Sequence, residues 1–288
     1  MREKIRQLLD KHGLKAHSEG IEELLAPAIH ISKLDTDVSE IGISRIGGSP
    51  DIPVDFKYPY WKDEPLGFLA QINCSDLTNY DTDNVLPHHG MLYFFYNIVE
   101  QPWGYDPEDR GCSAVIYIPV PETLNRSRLP LGFKAEKVCL KAFRISFKIV
   151  PSLPNPNAST PFDFEGEGFD KADIRNYFNL LEDLEQQYAP RPSHQLLGHA
   201  DTLQNDMQKQ CQLVSHGFYL GGGISAGSHN PYKRVLEAGA SEWRLLCQFD
   251  SDIDAEAQWG DMGLLFFWIR KSALRERQFG EICTILQC

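Results

Sequence analysis

Apolar residues change their spacing twice along the chain. Ile5, Leu8 and Leu9 recur at helical intervals among Lys and Arg, which predicts an opening helix ended by Gly13. Ser18 can cap a second short helix over residues 20–25, closed by Pro27. From residue 29 the period falls to two. Residues 29–31 and 41–46 alternate apolar with polar, and so do Phe68, Ala70 and Ile72 with their neighbours. Met91–Tyr96 is apolar throughout, as expected of a strand covered on both faces. Further strands are predicted over 114–118 and 143–149, followed by a polar, proline-rich connector over 151–161. Helical period returns over 170–188, with Ile174, Phe178, Leu181 and Leu184 on one face. After Pro190-Arg191-Pro192 come two short helices, 206–215 and 232–238, and strands over 243–249, 264–269 and 283–286.

Three blocks occur twice in the same order. Gly48-Ser49-Pro50-Asp51 reads against Gly198-His199-Ala200-Asp201. The stretch from Phe68 through Gln71 to Asn73 reads against that from Leu245 through Gln248 to Asp250, and Gly90 to Phe95 against Gly263 to Trp268. The pattern predicts one α+β domain over 1–288 with an N-terminal helical segment and an internal duplication. Copy one covers about 41–150, a connector and helix 151–193, and copy two 194–288, each a mostly antiparallel sheet unit with flanking helices.

Charge and cysteine content narrow the setting. Lys and Arg number 28 against 40 Asp and Glu, a formal net charge of −12. Such a surface repels nucleic-acid phosphates and anionic lipid, and suits a basic protein partner or a cationic ligand. Charges interrupt the N-terminus too often for a signal peptide, and the longest apolar runs fall short of a membrane span, so the expected location is cytoplasmic. Seven scattered cysteines without a C-x-x-C pair fit neither a disulfide framework nor a zinc ribbon, and read as small buried hydrophobes.

Several side chains invite a functional reading. Gln71 and Gln248 sit at equivalent places within apolar strands, where a buried amide must find partners. They either line a pocket where the halves meet or tie backbone groups there. Asp51 and Asp201 lie in equivalent turn-rich settings and could be capping groups or a paired carboxylate site. Asp250, Asp252 and Asp254 begin a calcium-loop spacing, with Asp261 at its twelfth position. The sixth position is Ala255 rather than Gly, and the run follows a strand, so it reads first as a solvated acidic loop. Trp103 and Trp259 lie in polar stretches and are candidate anchors for a partner. The Gly-rich run 221–227 lacks the Lys of a phosphate loop. Neither histidine spacing nor any Ser or Cys neighbourhood supplies a metal centre or a nucleophile, so no cofactor is expected beyond that calcium possibility.

Gly47-Gly48-Ser49-Pro50-Asp51-Ile52-Pro53, the run from Pro65 to Ile72 and that from Leu86 to Phe95 resemble the YwqG-like family of uncharacterised bacterial proteins. His194-Gln195-Leu196-Leu197-Gly198, Trp259-Gly260-Asp261-Met262-Gly263 and the terminal Leu286-Gln287-Cys288 extend that resemblance through the second half. The resemblance implies a cytoplasmic α+β protein and brings no catalytic residue with it. Two functions therefore compete. One is a non-enzymatic, immunity-like binder of a basic protein. The other is an enzyme or small-ligand binder with a pocket between the halves.

Overall fold

β-branched and aromatic residues, in runs bounded by Gly and Pro, build the large sheet around which the fold is arranged. The computed structural model describes residues 2–119, 123–127, 139–159, 162–221 and 231–288. Its strands are β1 (Ala26–Leu34), β2 (Arg45–Ile46), β3 (Asp51–Ile52), β4 (Tyr60–Trp61), β5 (Glu64–Pro65), β6 (Gly67–Asn73) and β7 (Met91–Tyr96). They continue with β8 (Ser113–Ile118), β9 (Asn125–Arg126), β10 (Phe143–Ser152), β11 (His194–Leu197), β12 (Trp243–Asp250), β13 (Leu264–Arg270) and β14 (Ile282–Gln287). The helices are α1 (Arg2–Lys11), α2 (Ser18–Glu23), α3 (Lys171–Tyr188), α4 (Met207–Val214), α5 (Pro231–Glu237) and α6 (Lys271–Arg275). No described helix is long and apolar enough to cross a membrane.

Ten strands form one antiparallel sheet in the order β14-β13-β12-β11-β1-β10-β2-β6-β7-β8. The long pair β1–β10 lies at its middle, with Ser32 facing Ser146. On one side β2 and β6 pair Arg45 with Gln71 and Ile46 with Ala70. On the other, β11 and β12 pair Gln195 with Gln248 and Leu196 with Cys247. Both flanks carry a bulge one residue further on, between Phe68 and Ala70 in β6 and between Leu245 and Cys247 in β12. Such bulges sharpen strand twist, and the sheet curls until its edges meet as a near-barrel. Ser113 Oγ of β8 and Thr284 Oγ1 of β14 are 2.7 Å apart. Gly104 lies in the seam with φ +77°, where a Cβ would fall 2.0 Å from the Thr284 carbonyl. Only glycine admits that approach.

The alternation of strand faces divides the apolar residues. In β13, Leu265, Phe267 and Ile269 join the main core, while Leu264, Phe266 and Trp268 form an outer cluster with Met207 and Cys211 of α4. Phe94 of β7 meets Phe249 and Phe267 at 5.6 and 5.5 Å, so the two flanks share one interior. Helices α1, α2 and α3 bury a further cluster around Ile5, Leu9, Tyr177 and Leu180.

Some elements differ from expectation. Strand β11 is absent from the periodic reading, because only Leu196 and Leu197 of its four residues are apolar. Pro27 lies inside β1 opposite Pro151 of β10 rather than closing a helix. The strand expected over 41–46 shrinks to Arg45–Ile46, since Gly42 with φ +81° turns the chain just before it. In α3 the fully buried face is Tyr177, Leu180 and Leu184, while Phe178 is 39% exposed. Asp170 caps this helix by accepting from the Ala172 and Asp173 N–H groups. The Gly-rich run reaches into 222–230 and there lies outside the described residues.

Because the interior is common to both flanks, unfolding is expected as one cooperative transition. Phe267→Ala should cost about 3–5 kcal/mol. Urea melts followed by Trp fluorescence and by far-UV circular dichroism should shift together; separate midpoints would mean that the flanks are independent.

Candidate functional site

Two of the buried glutamines of the main sheet, Gln71 and Gln248, make the same set of bonds. Gln71 donates from Nε2 to the Ile43 carbonyl (2.9 Å) and to Asp51 Oδ2 (2.9 Å), and its Oε1 accepts the Asp51 N–H (2.7 Å). Gln248 donates from Nε2 to the Ser193 carbonyl (3.0 Å) and to Asp201 Oδ2 (2.5 Å), and accepts the Asp201 N–H (3.0 Å). Residues 43–51 and 193–201 thus run in step without a gap. Left-handed conformations fall at matching positions, Gly47 and Gly48 against Leu197 and Gly198. Arg45 donates to the Ser49 carbonyl, and Gln195, at the corresponding place, donates to the His199 carbonyl at 2.7 Å. Each Gln–Asp pair closes on itself. The described contacts bring neither Asp51 to Asp201 nor Gln71 to Gln248, so these four residues do not line one cavity between the halves. Five strand spacings separate β6 from β12 in the sheet order.

The environments of the two carboxylates differ. Asp51 is fully buried and receives Arg126 Nε (2.8 Å), Arg45 Nη1 (3.1 Å) and the Gly42 N–H (3.0 Å). Burial alone would raise its pKa, but the Arg126 bond, the Gly42 N–H and the Arg45 charge outweigh that and hold it below the usual range. Burial pulls Arg45 down to about 10, so it stays charged at neutral pH. Asp201 has none of these donors. Gln195 stands where the first flank has Arg45, and Pro192, which has no N–H, precedes Ser193 as Gly42 precedes Ile43. Tyr93, whose hydroxyl binds the Asp51 carbonyl at 2.6 Å, corresponds to Phe266. Among the described residues the Asp201 carboxylate keeps only Gln248 and the Ser193 hydroxyl (2.9 Å) as donors, both on Oδ2. Burial raises its pKa to about 6, the two hydrogen bonds oppose this, and the Glu185 charge adds to it.

Asp201 stands in the wall of a cavity of ≈ 250 Å³ on the outer face of the sheet, beneath α3. Val150, Leu153, Phe178, Leu181 and Leu184 make its apolar sides; Asn155, Glu185, Arg191, Gln195 and Thr202 add polar ones. Among the described residues Oδ1 of Asp201 accepts no hydrogen bond, and Asp201 lines the cavity. Arg191 is committed elsewhere, to Glu185 Oε1 at 2.6 Å and Asp250 Oδ1 at 3.4 Å. Gln287 holds the segment that follows Thr202 by accepting the Leu203 and Gln204 N–H groups at 3.0 and 3.1 Å. Phe178, Arg191, Gln195 and Gln287 escaped sequence reasoning. The signal available for Gln195 was its place in a block equivalent to that of Arg45.

The remaining candidates resolve differently. Asp250 is buried and accepts the Ser193 N–H at 2.9 Å. Asp252 is buried between Lys33 (2.5 Å) and His194 Nε2 (3.3 Å). Its own burial opposes ionisation, but His194 and Lys33 prevail and lower its pKa. His194 Nδ1 accepts the Asp250 N–H, so the ring proton lies on Nε2, facing Asp252. Asp254 turns outward to Lys33, and Asp261 is exposed. The four carboxylates do not converge, and no group of three metal-ligating side chains occurs among the described residues. Trp259 is 1% exposed, donates from Nε1 to the Asp250 carbonyl and packs edge-on against Tyr96. It is a core residue and cannot anchor a partner. Trp103 is partly buried beside Tyr105.

The paired carboxylates should respond oppositely to the same change. Asp51→Asn leaves the buried Arg45 without its counter-charge and should destabilise by about 3–5 kcal/mol at pH 7. The native state holds the Asp201 proton better than the unfolded chain does. That contribution is complete below about pH 4 and is lost as pH rises through about 6. Asp201→Asn, which can still accept from Gln248 and Ser193, should therefore stabilise at pH 7 by on the order of 2 kcal/mol. The gain should shrink at pH 5. Urea denaturation at both pH values checks both signs.

Trp259→Ala should cost about 3–5 kcal/mol, read in the same denaturation experiment. A stable variant would return Trp259 to the surface.

No curated protein matches the sequence. Residues 44–288, most of the chain and both Gln–Asp pairs, match the family described as a domain of unknown function, DUF1963. The chain therefore belongs to the DUF1963 family, which assigns no function.

Proposed function

We propose that this chain is a non-enzymatic small-molecule-binding protein whose ligand occupies the cavity between α3 and the segment 200–203. The observation that carries the reading is the unpaired Oδ1 of Asp201, a residue in the wall of a cavity with both apolar and polar sides. A concave apolar site with a few convergent polar groups and a shifted titratable residue is the usual form of a small-ligand site. We read the flanks as two copies of one unit, about 41–150 and 194–288, which supports the choice of site. Copy one fills its Asp with arginines and serves stability, and copy two leaves its Asp available. The matching registers of the β2–β6 and β11–β12 pairs favour this reading. Free cysteines throughout the described chain suit a cytoplasmic setting. Binding of a basic protein rests on the net charge of −12 and on Trp103, without Trp259.

Leu181→Trp should fill the cavity without touching the sheet. Native mass spectrometry of untagged protein from its own cells should find a bound small molecule on the wild type that the variant lacks. A bare mass for both, with no thermal shift from a metabolite library, would refute the reading.

A further inference from the structure

The comparison between Asp51 and Asp201 identifies a chemical class for the ligand, an inference that rests on the proposed pocket. In the first flank Arg126 approaches Asp51 from 75 residues away in sequence, Nε on Oδ1 at 2.8 Å and Nη2 on Oδ2 at 3.4 Å. Arg45 adds a second guanidinium to the same carboxylate. The second flank keeps the Gln–Asp bonds and the Gln195 contact to the His199 carbonyl, but places no guanidinium on Asp201 among its described hydrogen bonds. Asp201 instead lines a cavity together with Leu181, Leu184 and Phe178.

We propose that the cavity takes a ligand bearing a guanidinium or amidinium group on a short apolar arm, with its planar fork on Asp201 and its arm against Phe178 and Leu181. A guanidinium matches a carboxylate with two parallel N–H donors, whereas a lone ammonium is a point charge and is more strongly hydrated. The charged groups around the cavity favour a cation. Glu182 and Glu185 of α3 line it with Asp201, against the single cation Arg191. Arg191 already bridges Glu185 and Asp250, and the ring of His199 is turned to the Leu24 carbonyl at 2.9 Å. Oδ2 of Asp201 accepts two hydrogen bonds where Oδ2 of Asp51 accepts from Gly42, Gln71, Arg45 and Arg126, so the second N–H of the fork would be its third donor, one fewer than Asp51 Oδ2 holds.

Isothermal titration at pH 7.5 with phenylguanidine and its neutral isostere phenylurea tests this class. Phenylguanidine should bind about tenfold or more tightly than phenylurea, the difference expected of a charge-assisted pair. Asp201→Asn should remove that difference while retaining the wild-type circular dichroism spectrum. Leu181→Trp should abolish binding of both. If Asp201→Asn is poorly folded, chemical-shift changes at the Gln248 and Gln195 side-chain amides of the wild type locate the fork independently. Equal binding of the two compounds would leave the pocket standing and overturn the guanidinium class. Tighter binding of benzylamine would overturn it in favour of an ammonium. Absence of binding by all three compounds would overturn the guanidinium class too, and a bare mass on the untagged protein would then remove the pocket reading with it.

Discussion

A glutamine inside an antiparallel strand presents two donors and an acceptor that the ladder cannot satisfy. Gln71 and Gln248 meet that demand by the same device. Each grips the N–H and the carboxylate of an aspartate on the neighbouring segment, and the carbonyl eight residues before that aspartate. The bond set fixes where the short strands β2 and β11 end and how the chain turns away after them. The left-handed pairs at Gly47–Gly48 and Leu197–Gly198 are the backbone consequence. Without those two clamps, neither two-residue β2 nor four-residue β11 has enough ladder to hold its register beside the long β1–β10 pair.

The clamp also explains how one geometry carries two electrostatic states. A buried carboxylate needs compensation by charge or hydrogen bonds. Around Asp51 the compensation is nearly excessive: two guanidinium groups converge, and Arg45 Nε is left without a partner. Around Asp201 it is deficient, because Gln195 and Pro192 replace a charge and an N–H, and no guanidinium among the described residues takes the place of Arg126. The backbone scarcely registers the exchange, since the amide contacts that shape the turn do not depend on the charge. The first site is committed to stability, and the second can change its protonation near neutral pH.

Much of this is legible in the sequence. Gln71 and Gln248, and Asp51 and Asp201, stand in blocks whose order is repeated in the sequence, and in the structure each Gln binds its Asp through the same groups. Their other partners do not show in the sequence. Arg126 reaches Asp51 from a distant short strand, and nothing local marks it. Phe178 reads as a core position because apolar spacing fixes a helical face only to within about one residue. The buried row of α3 follows Tyr177, whose hydroxyl reaches the Pro154 carbonyl at 3.1 Å. Trp259 reads as exposed because its neighbours are polar, yet it turns inward to bond the Asp250 carbonyl. The acidic run with the spacing of a metal loop is spread among Lys33, His194, Arg191 and backbone N–H groups, which depends on long-range contacts that spacing does not reveal.

The family match begins at Ser44, yet the strand that joins the flanks, β1, lies before it. β1 is paired along both edges, to β10 and to β11, and it carries Ala28 under the same outer surface as Val150 and Ala189, both of which line the cavity. The N-terminal segment is therefore part of the architecture of the site rather than an appendage. It closes the sheet between the two clamps, and α1 and α2 brace the helix α3 that roofs the cavity through Ile5, Leu9 and Ile21. A segment outside the matched region thus sets the distance between α3 and Asp201, and with it the size of whatever the cavity can hold.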